Sequence, residues 1–157
     1  MELLPAGPGH PAVVAGWPTS AAEVALWCGR DEFPVSARTD AAWQQEDGVR
    51  AFVLVEGERT VAYGELWLDD EEDEAELARL VVAPEARGRG VGRALVRALL
   101  AGAVDAGFDD VFLRVRPENA PALRCYHAAG FRPVAPGLAR EWNAAQPVDH
   151  VWLRAGE

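Results

Sequence analysis

The sequence contains no lysine, so all 15 of its basic residues are arginine. Cysteine is also scarce: Cys28 and Cys125 stand far apart, without the nearby partners of a zinc or redox motif. No apolar run approaches the roughly 20 residues of a membrane span, and the start has prolines but no basic leader. We therefore expect a cytoplasmic protein with plain thiols, no metal site and no membrane contact.

The charge is acidic and unevenly distributed. The formal net charge at pH 7 is -10. Residues 1–76 carry 17 acidic and 4 basic side chains, a net charge of -13, whereas residues 77–157 carry 8 acidic and 11 basic ones, a net charge of +3. This acidity disfavours binding of a nucleic acid backbone. A site for an anion beside a site for a cation fits the asymmetry, although acidic surfaces usually serve only solubility.

At 157 residues the chain has the length of one domain, residues 1–157, with a single core. Strand and helix patterns alternate along it, which indicates an α/β fold. The predicted elements are helices at 19–29, 38–47, 90–106 and 119–130, a hairpin around 56–59, and strands at 76–82, 109–116, 131–135 and 149–155. Val91, Leu95 and Leu99 form the apolar stripe that one helix turns toward the sheet. Residues 76–116 therefore form a right-handed crossover unit.

A turn rich in glycine and arginine, RGRGVGR at residues 87–93, connects the central strand of this unit to its helix. Its glycines allow backbone conformations closed to other residues, so that amides at the helix N-terminus can converge on one anion. The missing lysine excludes a Walker loop, and the G-x-G-x-G spacing departs from the Rossmann fingerprint. The pattern predicts a phosphate-binding turn, with a merely flexible basic turn as the alternative.

Two segments carry a resemblance to a known family. RGRGVG at residues 87–92 matches the Arg/Gln-x-x-Gly-x-Gly/Ala signature of the GNAT superfamily of acetyl-CoA-dependent N-acetyltransferases, and NAPALRCYHAAGF at 119–131 resembles its second conserved block. They stand in the superfamily's order, one helix and one strand apart. The resemblance implies a central mixed sheet of about six or seven strands flanked by about four helices. It places the cofactor-binding core at about 76–132 and variable acceptor regions at about 1–75 and 133–157.

The resemblance also implies the reaction, which is direct transfer of an acetyl group from acetyl-CoA to a primary amine, without a metal. By similarity, the turn holds the pyrophosphate and the splayed central strands leave the thioester between them. The Leu80 amide is the candidate for polarising the thioester carbonyl. The implied cofactor-binding residues are Leu80, Val81, Val82, Arg87, Gly88, Arg89, Gly90, Val91, Gly92, Arg93, Asn119 and Tyr126.

Proton transfer needs two further groups. An alkyl amine, with a pKa near ~10, must lose a proton before it attacks, and the departing thiolate must gain one. By resemblance, Tyr126 is the acid, with simple packing as its alternative. By resemblance to the histone-acetylating branch of the superfamily, Glu76, eleven residues before Arg87, is the candidate base, with membership of the acidic turn as its alternative. If Glu76 is not the base, Glu65 and Asp69 are the next candidates for that role.

The acceptor is predicted from charge alone. The acidic run 69–76 opens the central strand at the end opposite the phosphate turn, which favours a cationic amine of the polyamine or aminosugar type. A protein N-terminal or side-chain amine is the alternative. A non-catalytic acyl-CoA-binding sensor and a structural partner-binding domain are the alternatives of other classes. A homodimer is left open, and the six tryptophans are candidates for either the acceptor pocket or the core.

Overall fold

The structure is a computed structural model that describes residues 1–156. Seven strands form one mixed sheet in the order β1-β2-β3-β4-β5-β7-β6. They are β1 (Glu2–Pro5), β2 (Val49–Glu56), β3 (Arg59–Asp69), β4 (Glu74–Val82), β5 (Asp110–Val115), β6 (Phe131–Pro133) and β7 (Val151–Ala155). β4 and β5 are parallel, and all other neighbours are antiparallel. This confirms the predicted α/β fold with a mixed sheet.

Six α-helices accompany the sheet within residues 1–156, two more than predicted. They are α1 (His10–Val14), α2 (Ala21–Cys28), α3 (Ala37–Trp43), α4 (Val91–Asp105), α5 (Ala120–Ala128) and α6 (Pro136–Asn143). The sequence pattern did not predict α1, α6 or β1. The first has only five residues, which is too short for a readable period, and β1 is an exposed edge strand. In the part of the chain described, no helix is both long and apolar enough to cross a membrane.

Helix α4 packs on β3 and β4 through the predicted stripe. Val91, Leu95 and Leu99 are all buried, which confirms that this face turns toward the sheet. The helix approaches β3 so closely that a Cβ at Gly64 would lie 2.7 Å from Leu99 Cδ1. A glycine at this strand position therefore lets the helix lie against the sheet. The packing fixes the start of α4 beside the end of β4.

Helix α2 begins and ends at residues that favour those positions. The Ser20 hydroxyl accepts a hydrogen bond from the Glu23 amide at 3.1 Å, and Glu23 in turn accepts one from the Thr19 amide at 3.2 Å. The first bond satisfies an amide that the first helical turn leaves unpaired, and the second satisfies the amide of the residue before the N-cap. Gly29 ends the helix in the left-handed conformation, at φ +75°. These caps fix the position of α2, which contacts β4.

The parallel strands β4 and β5 pair over only three residues. Glu74, Ala75 and Glu76 lie opposite residues 110–112, and beyond this point the strands have no register partners in each other. The edge of β4 from Leu77 to Val82 is therefore open where it faces β5. The expected gap between the two central strands is present.

A β-bulge lies in the same part of β4. Tyr63 of β3 pairs with Val81 and Glu65 pairs with Ala78, so that residues 79 and 80 both lie opposite Gly64. Two residues against one is the definition of a bulge, which bends a strand and re-aims its side chains. Arg79 has φ +50°, a left-handed conformation that is uncommon for a residue other than glycine.

Candidate active site

A cavity of about 660 Å³ opens beside the unpaired edge of β4. The end of β4, the start of α4, α5 and α2 form its walls. Every predicted cofactor-binding residue except Arg89 lines it. Arg89 instead lies 3.7 Å from the carboxylate of Glu56. The fold thus brings two distant sequence segments, 80–93 and 119–126, to one space.

The turn at the mouth of the cavity depends on two glycines. Gly88 and Gly90 have φ values of +78° and +77°, and nothing lies within 4 Å of the Cβ that either would carry. Gly90 is the N-cap of the 15-residue helix α4, and Val91 and Gly92 of the first turn also line the cavity. Unpaired amides and the positive end of the helix dipole therefore lie at this space. An anion with several oxygens matches this arrangement.

Arginine side chains add positive charge to the mouth. Arg93 and Arg124 line the cavity with Arg87. The Arg87 guanidinium lies 3.1 Å from the Glu23 carboxylate and donates to the Val82 carbonyl oxygen at 3.2 Å. Arg87 therefore links α2 to the end of β4.

Helix α2 contributes a wall that no sequence motif predicts. The residues on this side are Pro18, Glu23, Leu26 and Trp27. The pKa of Glu23 is lowered, chiefly by its hydrogen bond from the Thr19 hydroxyl and further by Arg87. No motif in residues 18–27 marks them, because only the packing of α2 on β4 brings them to the cavity.

Helix α5 supplies the opposite wall. Asn119 caps it, with Oδ1 accepting from the Ala122 amide at 3.4 Å, so this residue is the N-cap of α5 and also lines the cavity. Tyr126 is half-buried in the cavity wall, and burial raises the pKa of its phenol above the ordinary value. The phenol therefore keeps its proton at neutral pH. A protonated phenol is what an acid near the cofactor requires.

Cys125, the neighbour of Tyr126 in the chain, also lines the cavity. Burial raises the pKa of its thiol, which disfavours the reactive thiolate. His127 does not line the cavity, and its Nδ1 lies 3.3 Å from the Phe131 carbonyl oxygen. The two side chains do not form a Cys-His nucleophile.

Glu76 lies outside this cavity. Arg114 holds both oxygens of its carboxylate, with Nε at 2.7 Å and Nη2 at 3.0 Å, and only 7% of Glu76 is exposed. Gln146 accepts a further bond from Arg114 at 2.7 Å. Glu76 lines a second cavity of about 250 Å³, together with Trp67, Leu68, Asp69, Glu74 and Phe112. The structure does not bring Glu76 and Tyr126 to the same cavity, and the role of Glu76 as base stays a prediction.

Glu65 lies at the centre of a buried polar cluster. Its side chain has no exposed surface and accepts from the Tyr63 hydroxyl, from Trp67 Nε1 at 2.8 Å and from Arg79 Nη1 at 3.1 Å. Burial is the largest influence on its pKa, which is raised. An acceptor cannot reach a carboxylate enclosed in this way. Glu65 is therefore not a base that touches a substrate.

Asp40 of α3 belongs to the same cluster and is also fully buried. Gln44 donates to its Oδ1 at 3.4 Å, whereas Oδ2 has no hydrogen-bond partner. Burial raises the pKa of Asp40 from 3.8 to about 6, and the nearby Glu65 carboxylate adds to the rise. The folded protein therefore holds this proton more tightly than the unfolded chain does.

Asp40→Asn is expected to stabilise the protein at neutral pH. Because the folded pKa is the higher one, the stabilising effect of the proton is complete below about pH 4 and is lost as pH rises through about 6. The asparagine variant avoids this loss, so its free energy of unfolding should exceed that of the wild type by about 3 kcal/mol at pH 7.5. Urea denaturation at about pH 7.5 and about pH 4 measures the difference. Equal differences at the two pH values would contradict the prediction, and the exposed Asp47→Asn serves as control.

The tryptophans pack mainly in the core. Trp17, Trp27, Trp43 and Trp152 are buried, and Trp67 and Trp142 are half-buried. Of the tryptophans in residues 1–156, Trp27 lines the large cavity and Trp67 lines the second cavity. In the same range, no group of three or more His, Cys, Asp or Glu side chains is placed to hold a metal ion.

Comparison with known proteins identifies the family. The chain belongs to the acetyltransferase (GNAT) family, whose model matches residues 19–131. This confirms the resemblance inferred from the two motifs. A mycothiol acetyltransferase of Clavibacter michiganensis subsp. michiganensis is 44% identical over 69 residues, which are 44% of this chain and 22% of that protein. The match thus covers less than a quarter of the relative's length.

Solved structures of similar fold cover nearly all of the chain. AAC(6')-Ib in complex with paromomycin and acetyl-CoA superimposes with a TM-score of 0.76 at 17% identity, over 99% of this chain and 92% of that one. Spermidine N-acetyltransferase from Vibrio cholerae, in complex with CoA and spermine, gives a TM-score of 0.74 at 17% identity, over 98% and 92%. These likenesses establish the fold.

Proposed function

We propose that this protein transfers the acetyl group of acetyl-CoA to a primary amine. The observation that carries the proposal is the single cavity in which the glycine-arginine turn, the open edge of β4 and Tyr126 meet. Membership of the GNAT family supports it. The matched relative is a mycothiol acetyltransferase, and two structures of the same fold contain acetyl-CoA or CoA.

The cavity offers suitable groups along the length of the donor. Amides of residues 87–92 and the nearby arginines would hold the pyrophosphate, as an anion at a helix N-terminus. The edge of Leu80–Val82 has no partner in β5, so the pantetheine arm would pair with it like an additional strand. The thioester would then lie between β4 and β5, with the Leu80 amide directed at its carbonyl oxygen.

The reaction moves one acetyl group and two protons. The neutral amine nitrogen attacks the thioester carbonyl carbon, the carbon–sulfur bond breaks, and sulfur leaves as thiolate. We assign Tyr126 to protonate this sulfur, since a thiol of pKa about 8.5 is a fair leaving group that still benefits from an acid. Arg114 occupies both oxygens of Glu76, so we place water between Glu76 and the amine that loses its proton.

We propose a cationic acceptor, such as a polyamine or an aminosugar. The turn of residues 70–73 is exposed and entirely acidic, and it lies at the end of β4 opposite the phosphate turn. Beside it, Asp69, Glu74 and Glu76 line the second cavity. Spermine and paromomycin are bound in two structures of the same fold. A protein N-terminal or side-chain amine is the alternative acceptor, and the oligomeric state and cytoplasmic location stay predictions.

Two measurements test the proposal. Isothermal titration with acetyl-CoA should show binding, because a structural partner-binding domain would show none. Thiol release should then be followed with spermidine, an aminoglycoside, a lysine peptide, a peptide with a free N-terminus and aniline. Binding without release for any amine would favour the non-catalytic sensor. Equal use of aniline and spermidine at rates independent of ionic strength would refute the cationic acceptor.

A further inference from the structure

Arg79 occupies an unfavourable backbone conformation in the middle of β4. Its φ of +50° lies in the left-handed region, which is unfavourable for a residue with a Cβ. Such a residue persists only where its surroundings hold it. Arg79 and Leu80 are also the two bulge residues opposite Gly64. The contacts of Arg79 are therefore the ones in a position to hold the bulge.

Both the backbone and the side chain of Arg79 are held from the face opposite α4. Its carbonyl oxygen accepts from Trp27 Nε1 at 2.9 Å. Its guanidinium carbon lies 4.1 Å from the ring centroid of Trp43 and 4.9 Å from that of Trp67. These cation–π contacts are made where only 16% of the side chain is exposed, so solvent weakens them little.

Glu65 supplies the charge that compensates Arg79. The two side chains form an ion pair at 3.1 Å, and Glu65 also accepts from Tyr63 and Trp67. Glu46, at 3.7 Å, is a second and more exposed partner of Arg79. Because Glu65 is paired with Ala78 in the strand register, it lies next to the bulge formed by residues 79 and 80.

The bulge decides where Leu80 lies. Side chains alternate along a strand, so removing the extra residue would move the following residues to the opposite face. With the bulge present, the Leu80 Cγ lies 3.3 Å from the position of a Cβ on Gly64, on the face that α4 covers, and Leu80 lines the large cavity. Its amide is the candidate that polarises the thioester.

We propose that Arg79 and Glu65 are positioning residues for the thioester end of the donor site. The buried ion pair holds residue 79 in the left-handed conformation, and this conformation sets the position of the Leu80 amide. Neither side chain lines the large cavity, so both act through the backbone of β4. The kinetic consequence rests on the proposed acetyl transfer.

Arg79→Ala should lower kcat about tenfold, which corresponds to about 1.4 kcal/mol in the barrier. The Kd for CoA should change by less than about twofold, because the phosphate turn is not altered. The matched control is Arg154→Ala. That guanidinium also lies near a tryptophan, 5.7 Å from the centroid of Trp142, and pairs with Asp110 at 3.1 Å, yet it lies on β7. The control should retain the wild-type kcat.

Two more variants separate a backbone role from the loss of a charge. Arg79→Gly removes the same side chain but adopts positive φ without strain, so kcat should fall only about threefold. Glu65→Gln, which removes the charge that compensates Arg79, should lower kcat about threefold, as Arg79→Gly does, while keeping the fold. Equal losses of kcat in the alanine and glycine variants would overturn the inference, as would an equal effect of Arg79→Ala on kcat and on the Kd for CoA.

A readout without turnover distinguishes this inference from the proposed function. Amide chemical shifts of Val81 and Val82, measured by NMR, should change more in Arg79→Ala than in Arg79→Gly, which keeps the positive φ, and should stay unchanged in Arg154→Ala. If the wild type binds CoA but acetylates no amine, the proposed function fails and the shifts alone decide the role of Arg79. Equal shift changes in the alanine and glycine variants would overturn that role.

Discussion

Gly90→Glu should weaken the binding of CoA at least about 100-fold, which corresponds to about 2.7 kcal/mol. Gly90 has φ +77° and an open space where a Cβ would lie, so a side chain there points out from a strained backbone at the N-terminus of α4. A glutamate carboxylate would itself occupy the positive end of the helix dipole and repel phosphate oxygens. Isothermal titration with CoA measures the loss.

Gly107→Glu is the matched control for this variant. Gly107 follows the other end of α4, has φ +98° and likewise has nothing within 4 Å of the Cβ that it would carry. The Gly107→Glu variant therefore has a comparable backbone strain and the same added charge, but away from the cavity. Its affinity for CoA should equal that of the wild type. Gly90→Ala adds backbone strain without charge and should weaken the binding of CoA by less than about tenfold. Wild-type affinity in Gly90→Glu would contradict the assignment of the turn.

Tyr126→Phe should lower kcat about 100-fold and leave the Kd for acetyl-CoA within about twofold of the wild-type value. The variant keeps the ring that packs in the cavity wall and removes only the acidic proton. Since burial raises the pKa of Tyr126, the phenol stays protonated through the neutral range and beyond, and the wild-type kcat should not decline there from loss of this proton. Steady-state kinetics of thiol release across pH measure both effects.

If Tyr126→Phe unfolds at a lower temperature than the wild type but keeps the wild-type kcat, the role of Tyr126 is simple packing. His127→Ala provides the comparison, because His127 is the next residue of α5 and does not line the cavity. It should retain the wild-type kcat. Thermal unfolding of both variants shows whether a loss of activity reflects the phenol or the stability of the fold.

Local sequence determined most of the elements and one side of the cavity. The helix stripe, the caps at Ser20 and Asn119, and the glycines of the turn act over a few residues, so their signals are complete within a short segment. The two motifs then gave the family and most of the cavity-lining residues of β4, α4 and α5. Short or exposed elements such as β1 and α1 carried too few residues for such a signal.

The tertiary structure decided the features that depend on contacts between distant segments. No local sequence signal predicts that α2 forms a wall of the cavity. The same is true of the ion pair between Glu76 and Arg114, which are 38 positions apart, and of the position of Arg89 beside Glu56 rather than in the cavity. The same holds for the bulge at Arg79, which Trp27, Trp43 and Glu65 support from three other elements. A sequence motif specifies the backbone that can approach a ligand. Only the packing of the whole chain determines which charges remain free beside it, because each charge pairs with whatever the fold brings near.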